Sequence, residues 1–192
     1  MKCTELVIQD HIAIRRSLNI LDGMMKKLED GRRIEIIDVT ATLKFLQVFG
    51  DEYHQTMEEK VLFPALVGAS PQGSPIHQMV LEHGEERALV SWIIAAFGSR
   101  RVIDFVYSSR RLSLLLRSHI DKEEAVLADL AGGLLSKEED NSVVAEFMKN
   151  RKEPESYMNF SRMERKYTPI PESYPVDSQP EIARGRGSAS YG

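Results

Sequence analysis

The chain has 192 residues, a formal net charge of -4, 42% hydrophobic residues and one cysteine. The mild negative charge argues against a nucleic-acid or membrane-surface partner held by bulk charge. A single cysteine excludes an intrachain disulfide and a thiolate cluster.

The length fits one core-bearing domain followed by a tail. No apolar run approaches the ~20 residues that a bilayer span needs. Lys2 and Glu5 fall where the core of a signal peptide would lie, so none is expected, and the expected compartment is a reducing cytoplasm. Residues 4–28 read as a helix. Thr4, Val7, His11, Ile14, Leu18, Leu21, Met25 and Leu28 follow an a/d spacing. His11 is the strongly polar member of that stripe. Gly31 in the following loop suits a helix C-cap.

Asp38 reads as the N-cap of a second helix over residues 39–67. Leu43, Leu46, Phe49 or Gly50, His54, Glu58, Val61, Leu62 and Ala65 form its inner face, and Pro64 sits near its end. Residues 68–73 are a turn-rich break. Ser74 and Pro75 then open a third helix as N-cap and first helical residue. Its stripe is Ile76, Val80, His83, Arg87, Val90, Ile94 and Phe97. A fourth helix is predicted over residues 100–130, with Leu112, Leu115, Leu116, His119, Ile120, Glu123, Val126, Leu127 and Leu130 on one side. Gly132-Gly133 stops it. Ser136 and Glu139 form a capping box for a short fifth helix ending near Asn150.

Five of the eight prolines fall beyond residue 150, and Gly, Ser and Arg fill the end. Residues 151–192 therefore read as an extended tail, with Tyr157, Phe160, Tyr167 and Tyr174 available to pin parts of it. The expected architecture is all-α. An up-down-up-down four-helix bundle spans residues 1–135, residues 136–150 add a short fifth helix, and the tail follows.

The chemistry concentrates in two copies of one string. His54 opens H-x-x-x-E-E-x-V-L, with Glu58, Val61 and Leu62 inside it. His119 opens the same string with Glu123, Val126 and Leu127. On a helix, residues i and i+4 share a face, so each copy aims an imidazole and a carboxylate at one point. Asp10-His11 with Arg15 matches Glu82-His83 with Arg87. The first and second helices thus resemble the third and fourth as two related hairpins. Ionised carboxylates in a dry core are unfavourable unless paired or metal-bound, and no matching set of core lysines or arginines is present. Imidazole and carboxylate donors suit iron, manganese or zinc, and bundle cores are where dinuclear carboxylate sites are built.

The expected metal ligands are His11, His54, Glu58, His83, His119 and Glu123. His11 and His54 serve one cation and His83 and His119 the other. Glu58 and Glu123 each bridge both. With an oxo or hydroxo bridge each metal has about five ligands and one open position. Neighbours on a helix point about 100° apart, which turns Asp10 and Glu82 away from ligation and leaves Glu59 and Glu124 on solvated faces. His77 lies off the ligand face and reads as structural or surface. Cys3 reads as inert. Gly50, one turn before His54, is either a packing glycine or space beside a metal. Met79, Leu115 and Leu116 would wall that space. Arg87 is expected to pair with Glu58, Glu123 or a surface carboxylate, and Tyr53 and Tyr107 are candidate pocket donors. Arg100, Arg101, Arg110, Arg111 and Arg117 read as a solvated face.

The order H…H-x-x-x-E…H…H-x-x-x-E over residues 5–130 resembles the hemerythrin-like (HHE cation-binding) family. That resemblance implies a four-helix bundle holding a non-haem di-iron centre, on the six residues named above. Two iron ions are the expected cofactor, ahead of manganese or zinc. Oxygen-carrying hemerythrins have a further histidine on the third helix. Here the positions one turn either side of His83 are Met79 and Arg87. The resemblance therefore implies binding of dioxygen, peroxide or nitric oxide. The alternative is redox enzymology, namely peroxide breakdown or nitric-oxide and iron stress repair. A third reading is a metal-loaded interaction module whose tail binds a protein partner.

Overall fold

In the computed structural model, which describes residues 2–67, 75–130 and 135–168, the first stripe lies on α1, Lys2–Glu29. Val7, Ile14, Leu18, Leu21 and Met25 are buried, and His11 is buried among them. Gly31 ends the helix with φ 69°, and the amide of Arg32 bonds the carbonyl of Lys27 at 2.8 Å. This is the left-handed cap that glycine permits at little cost.

The second helix, α2, covers residues 36–67 and changes pitch along its length. Ile36–Lys44 is α-helical, Phe45–Gln55 and Glu58–Leu62 are wound as π-helix, and Phe63–Val67 is α-helical again. It starts ahead of Asp38, whose carboxylate is not the expected cap. Asp38 is buried and accepts from Lys166 Nζ at 2.6 Å, from the Tyr167 hydroxyl at 2.7 Å and from Arg162. Those partners lie far along the chain, so local sequence gave no sign of them.

Helix α3 is Pro75–Gly98 and α4 is Val102–Leu130. The fourth helix starts two residues later than expected because Arg100 takes a positive φ of 56° and closes α3. Helix α1 packs against α2 and α4, and α3 packs against α2 and α4. The four run up-down-up-down around one core, which includes Leu18, Leu21, Phe49, Leu62, Ile93 and Leu112. The described residues contain no strand. None of their helices is long and apolar enough to cross a membrane.

Helix α5, Lys137–Asn150, opens with the expected capping box: the Glu139 amide donates to Ser136 Oγ at 3.2 Å. Its Asp140 accepts from the amides of Lys2 and Cys3, each at 3.1 Å. A carboxylate there satisfies orphan donors and suits the positive end of α1. Burial, with Asp140 beside it, pushes the Cys3 thiol up to about 12, so the thiolate is suppressed, in keeping with an inert cysteine.

The stretch after residue 150 is more folded than its composition suggests. Pro154–Ser156 forms a 3-10 turn, and α6, Phe160–Tyr167, lies along α1. Phe160, Met163 and Tyr167 are buried and Tyr157 is half-buried, so three of the four aromatics do pin the segment. Arg16 on α1 grips Glu164 with two hydrogen bonds, 2.6 and 2.9 Å, and stacks its guanidinium 4.5 Å over the Phe160 ring. The break at 68–73, the Ser74 cap, the Gly132-Gly133 stop and Tyr174 lie outside the described residues.

Gly23 is where α6 meets α1. A Cβ there would stand 1.9 Å from the Tyr167 carbonyl oxygen. Gly23→Ala should therefore destabilise the chain by about 1–3 kcal/mol through overpacking. Gly84 is exposed and a Cβ there meets nothing, so Gly84→Ala is the control and should be neutral or stabilising. Thermal unfolding of the two variants checks this; equal Tm values would contradict the contact.

Candidate metal centre

Each bundle helix carries one histidine to the same level of the core: His11 on α1, His54 on α2, His83 on α3 and His119 on α4. All four are at most 3% exposed, and Glu58 and Glu123 between them are 0% exposed. The segment of α2 that bears His54 and Glu58 is loosely wound. The Thr56 amide reaches the Asp51 carbonyl and the Phe63 amide reaches the Glu58 carbonyl, five residues back in both cases. Wide turns of this kind are frequent at functional sites. Pro64 has no amide proton to rebuild the ordinary ladder at that point.

The two carboxylates stand between the two histidine pairs. Glu58 Oε1 is 3.0 Å from His54 Nε2 and 3.9 Å from His11 Nε2, while Glu58 Oε2 is 3.5 Å from His83 Nε2. Glu123 Oε2 is 3.1 Å from His11 Nε2 and 3.6 Å from His119 Nε2. His83 Nε2 and His119 Nε2 are 3.1 Å apart. Two groups of donors follow, each within 4.8 Å: His11, His54, Glu58 and Glu123, and then Glu58, His83 and His119.

These contacts are close, but they do not satisfy the oxygens. Both oxygens of Glu58, both of Glu123 and Nε2 of His11 are buried without a hydrogen-bond partner. Buried polar atoms are nearly always paired, so a cluster of orphans at one point calls for a ligand. Imidazole and carboxylate donors in this number fit a pair of divalent or trivalent cations, which would take up the orphaned lone pairs.

A second ring of carboxylates surrounds the imidazoles on their Nδ1 side. Glu124 Oε1 lies 3.1 Å from His11 Nδ1, Glu59 Oε1 2.8 Å from His83 Nδ1, Glu82 Oε2 3.0 Å from His119 Nδ1, and Asp10 Oδ2 3.6 Å from His54 Nδ1. Each acid adjoins an inner donor in sequence and serves the histidine of a neighbouring helix. The expectation that Glu59 and Glu124 sit on solvated faces is thus corrected. A side chain turned from its own helix's inner face still reaches the back of the next helix's imidazole. Acids in this position fix the ring and its tautomer and raise its basicity as a ligand. Glu82 takes the same outer role, and Asp10 lies in the corresponding place behind His54 without a hydrogen bond to it.

The outer ring is itself held. Arg87 donates to Glu59 at 2.8 Å and to Asp51, both half-buried, so its partners are neither Glu58 nor Glu123. Arg15 pairs with Asp121 at 2.6 Å and stands 3.7 Å from Glu124. Lys122 pairs with Glu82. Arg151, just past α5, donates to Asp10 at 2.7 Å and to the Tyr53 hydroxyl at 3.3 Å. Tyr53 is therefore buried beside the site, whereas Tyr107 is 68% exposed and remote from it. His77 is exposed, as expected of a residue off the ligand face. Arg101, Arg110, Arg111 and Arg117 are on the surface and pair with acids there.

The electrostatics of the two pairs differ. Burial lowers His11, but Glu123 and Glu124 beside it outweigh that and raise it; burial lowers His54 too, yet Glu58 and Asp10 hold it well above its ordinary value. Burial and the charge of His119 bring His83 down to about 4, and burial lowers His119 as well. Burial and the charge of Glu123 push Glu58 up to about 7. Glu123 falls to about 2 because His11, His54 and His119 overcome its burial.

Sequence reasoning passed over one buried acid. Glu86 is 2% exposed, three residues after His83. One oxygen bonds Gln55 Nε2, and the other is buried without a hydrogen-bond partner. Burial, with Glu58 nearby, holds it well above the usual carboxylate range. The helical i+3 relation to His83 is the available signal, whereas the stripe read on the third helix passes through Arg87.

The hemerythrin HHE cation-binding domain model matches residues 4–131 of this chain. The chain belongs to the hemerythrin HHE family. Searches of curated proteins and of solved structures gave no match. The family match and the donor groups together make this a cation-binding hemerythrin-like protein. The matched span ends before α5, so Arg151, which steadies Asp10, is supplied from outside the family domain.

Two outcomes follow. Glu124→Gln removes the acceptor behind His11 and should weaken cation binding by about 10–100-fold, read by titration of the metal-free chain with zinc; unchanged affinity would contradict the outer ring's role. Cations need unprotonated donors. Glu58 at about 7 and the raised His54 hold protons in the metal-free chain near neutrality, so affinity should climb as pH rises through 7. Uptake should also release protons into a weakly buffered solution. A pH-independent affinity with no proton release would count against these protonation states.

Proposed function

We propose that this protein holds two iron ions and uses them to bind a small oxygen or nitrogen species, namely dioxygen, peroxide or nitric oxide. The observation that carries the reading is the placement of Glu58 and Glu123. Each lies against imidazoles of both histidine pairs, and all four carboxylate oxygens are buried without partners. His11 and His54 would hold one ion, His83 and His119 the other, and the two glutamates would span them. When bound, such a pair supplies Lewis acidity and a reversible change of oxidation state. The chain's own part is to exclude water and fix the rings. Glu124, Glu59 and Glu82 hold the Nδ1 side of His11, His83 and His119, which leaves Nε2 facing inward, and Asp10 stands 3.6 Å from Nδ1 of His54.

A second reading, a di-iron redox enzyme that breaks down peroxide or serves nitric-oxide or iron stress repair, draws support from the third helix. Met79 and Arg87 stand one turn either side of His83, and Arg87 is engaged outward with Asp51 and Glu59. Three donors gather closely around the second pair, Glu58, His83 and His119, against four around the first, which favours exchangeable positions there.

Absorption changes on adding azide, peroxide or nitric oxide to the iron-loaded chain test the first reading, and oxygen evolution from added peroxide separates the second. His119→Ala should lose much of the bound iron while keeping the helical circular-dichroism signal. Full iron content in that variant would contradict the ligand assignment.

A further inference from the structure

The layer of the bundle next to the histidines contains a small chamber. It is lined by Ile14, Gly50, Gln55, Glu86 and Leu116, and on its outer side by the half-buried pair of Asp51 and Arg87. On each helix these wall residues lie within one turn of the histidine. The space is about 20 Å³, which admits about one water-sized molecule. Gly50 is buried, yet a Cβ built on it meets no atom within 4 Å, so there is room beside it.

The two hairpins match in both rings of the site, but not in this layer. Three residues after the histidine, α1 has Ile14 and α3 has Glu86. One residue after the histidine, α4 has Ile120 and α2 has Gln55. Four residues before it, α4 has Leu115 and α2 has Gly50. Helices α1 and α4 have apolar bulk at these places, whereas α2 and α3 have an amide, a gap and an acid. Glu86 is gripped by Gln55 through one oxygen, and its other oxygen is buried with no hydrogen bond, 4.0 Å from His119 Nδ1. A void in a packed layer loses dispersion contacts, and an unpaired buried polar atom loses hydrogen bonding. One small polar guest would make good both losses.

We propose that this chamber is the seat of a small polar ligand, of the size of peroxide or nitric oxide, beside the cation pair. Glu86 is its hydrogen-bonding residue, Gln55 aims Glu86, and Gly50 supplies the room. The assignment rests on the cation-binding reading above and adds a ligand-facing residue to it.

The test uses the full-length chain loaded with ferrous iron and nitric oxide as probe. Glu86→Leu and Gly50→Ala should keep the wild-type iron content and lower nitric-oxide affinity by about tenfold, while Gly84→Ala leaves it unchanged. In the metal-free chain Gly50→Ala should raise Tm, because the methyl enters empty space in a helix. Full iron content with wild-type nitric-oxide affinity in both variants would overturn the chamber and leave the cation site standing. A lower Tm for metal-free Gly50→Ala would also overturn it. A wild-type chain that takes up no iron would overturn the cation reading and this inference with it.

Discussion

Two carboxylates with no exposure at the centre of a helical bundle are the constraint from which the rest follows. An ionised acid in that setting needs a partner of opposite charge that reaches its lone pairs. The core offers no lysine or arginine to Glu58 and Glu123. It offers four imidazoles, and their geometry leaves the acid oxygens without hydrogen bonds. Without cations the cluster resolves the conflict with protons, as the raised Glu58 and His54 indicate. With cations the same six side chains become mutually compatible. Stability and cation binding are therefore linked through one set of atoms.

The outer acids extend that logic to the surface. Every imidazole has a carboxylate behind it, and those carboxylates are engaged by Arg15, Arg87, Lys122 or Arg151. Charge thus alternates outward from the centre, from cation site to imidazole to acid to base. Arg151 ties this ladder to the C-terminal segment. Helix α6, held by Arg16, Phe160 and the Asp38 cluster, anchors the same segment along α1. The described part of the C-terminal region is structurally continuous with the site.

Much of this was legible in the residues. The i, i+4 spacing of His54 with Glu58 and of His119 with Glu123 placed donors on one helix face, and the apolar stripes placed those faces inward. The capping box at Ser136 and the glycine cap at Gly31 were local signals, and they are seen where they were read. What was not legible depends on how helices meet. The acceptors behind the imidazoles belong to neighbouring helices, so Glu59 and Glu124 looked solvated when their own helix was taken alone. Asp38 looked like a cap because its partners Arg162, Lys166 and Tyr167 lie far along the chain. The π-wound stretch of α2 has no simple residue signature, and α6 was hidden by the proline-rich composition around it.

The approximate twofold repeat explains how a chain of this size builds a two-part site, and its exceptions mark where the halves diverge. Both rings of donors obey the repeat; the Gly50, Gln55 and Glu86 layer does not, nor does the winding of α2. The central claim remains that the buried donors exist to hold a cation pair. Its most direct measurement is elemental analysis of the purified full-length chain, set against its protein concentration. The account predicts close to two iron atoms per chain, removable by a chelator with a fall in Tm. A chain that carries no metal, cannot be loaded with any, and melts at the same temperature with or without chelator would contradict it.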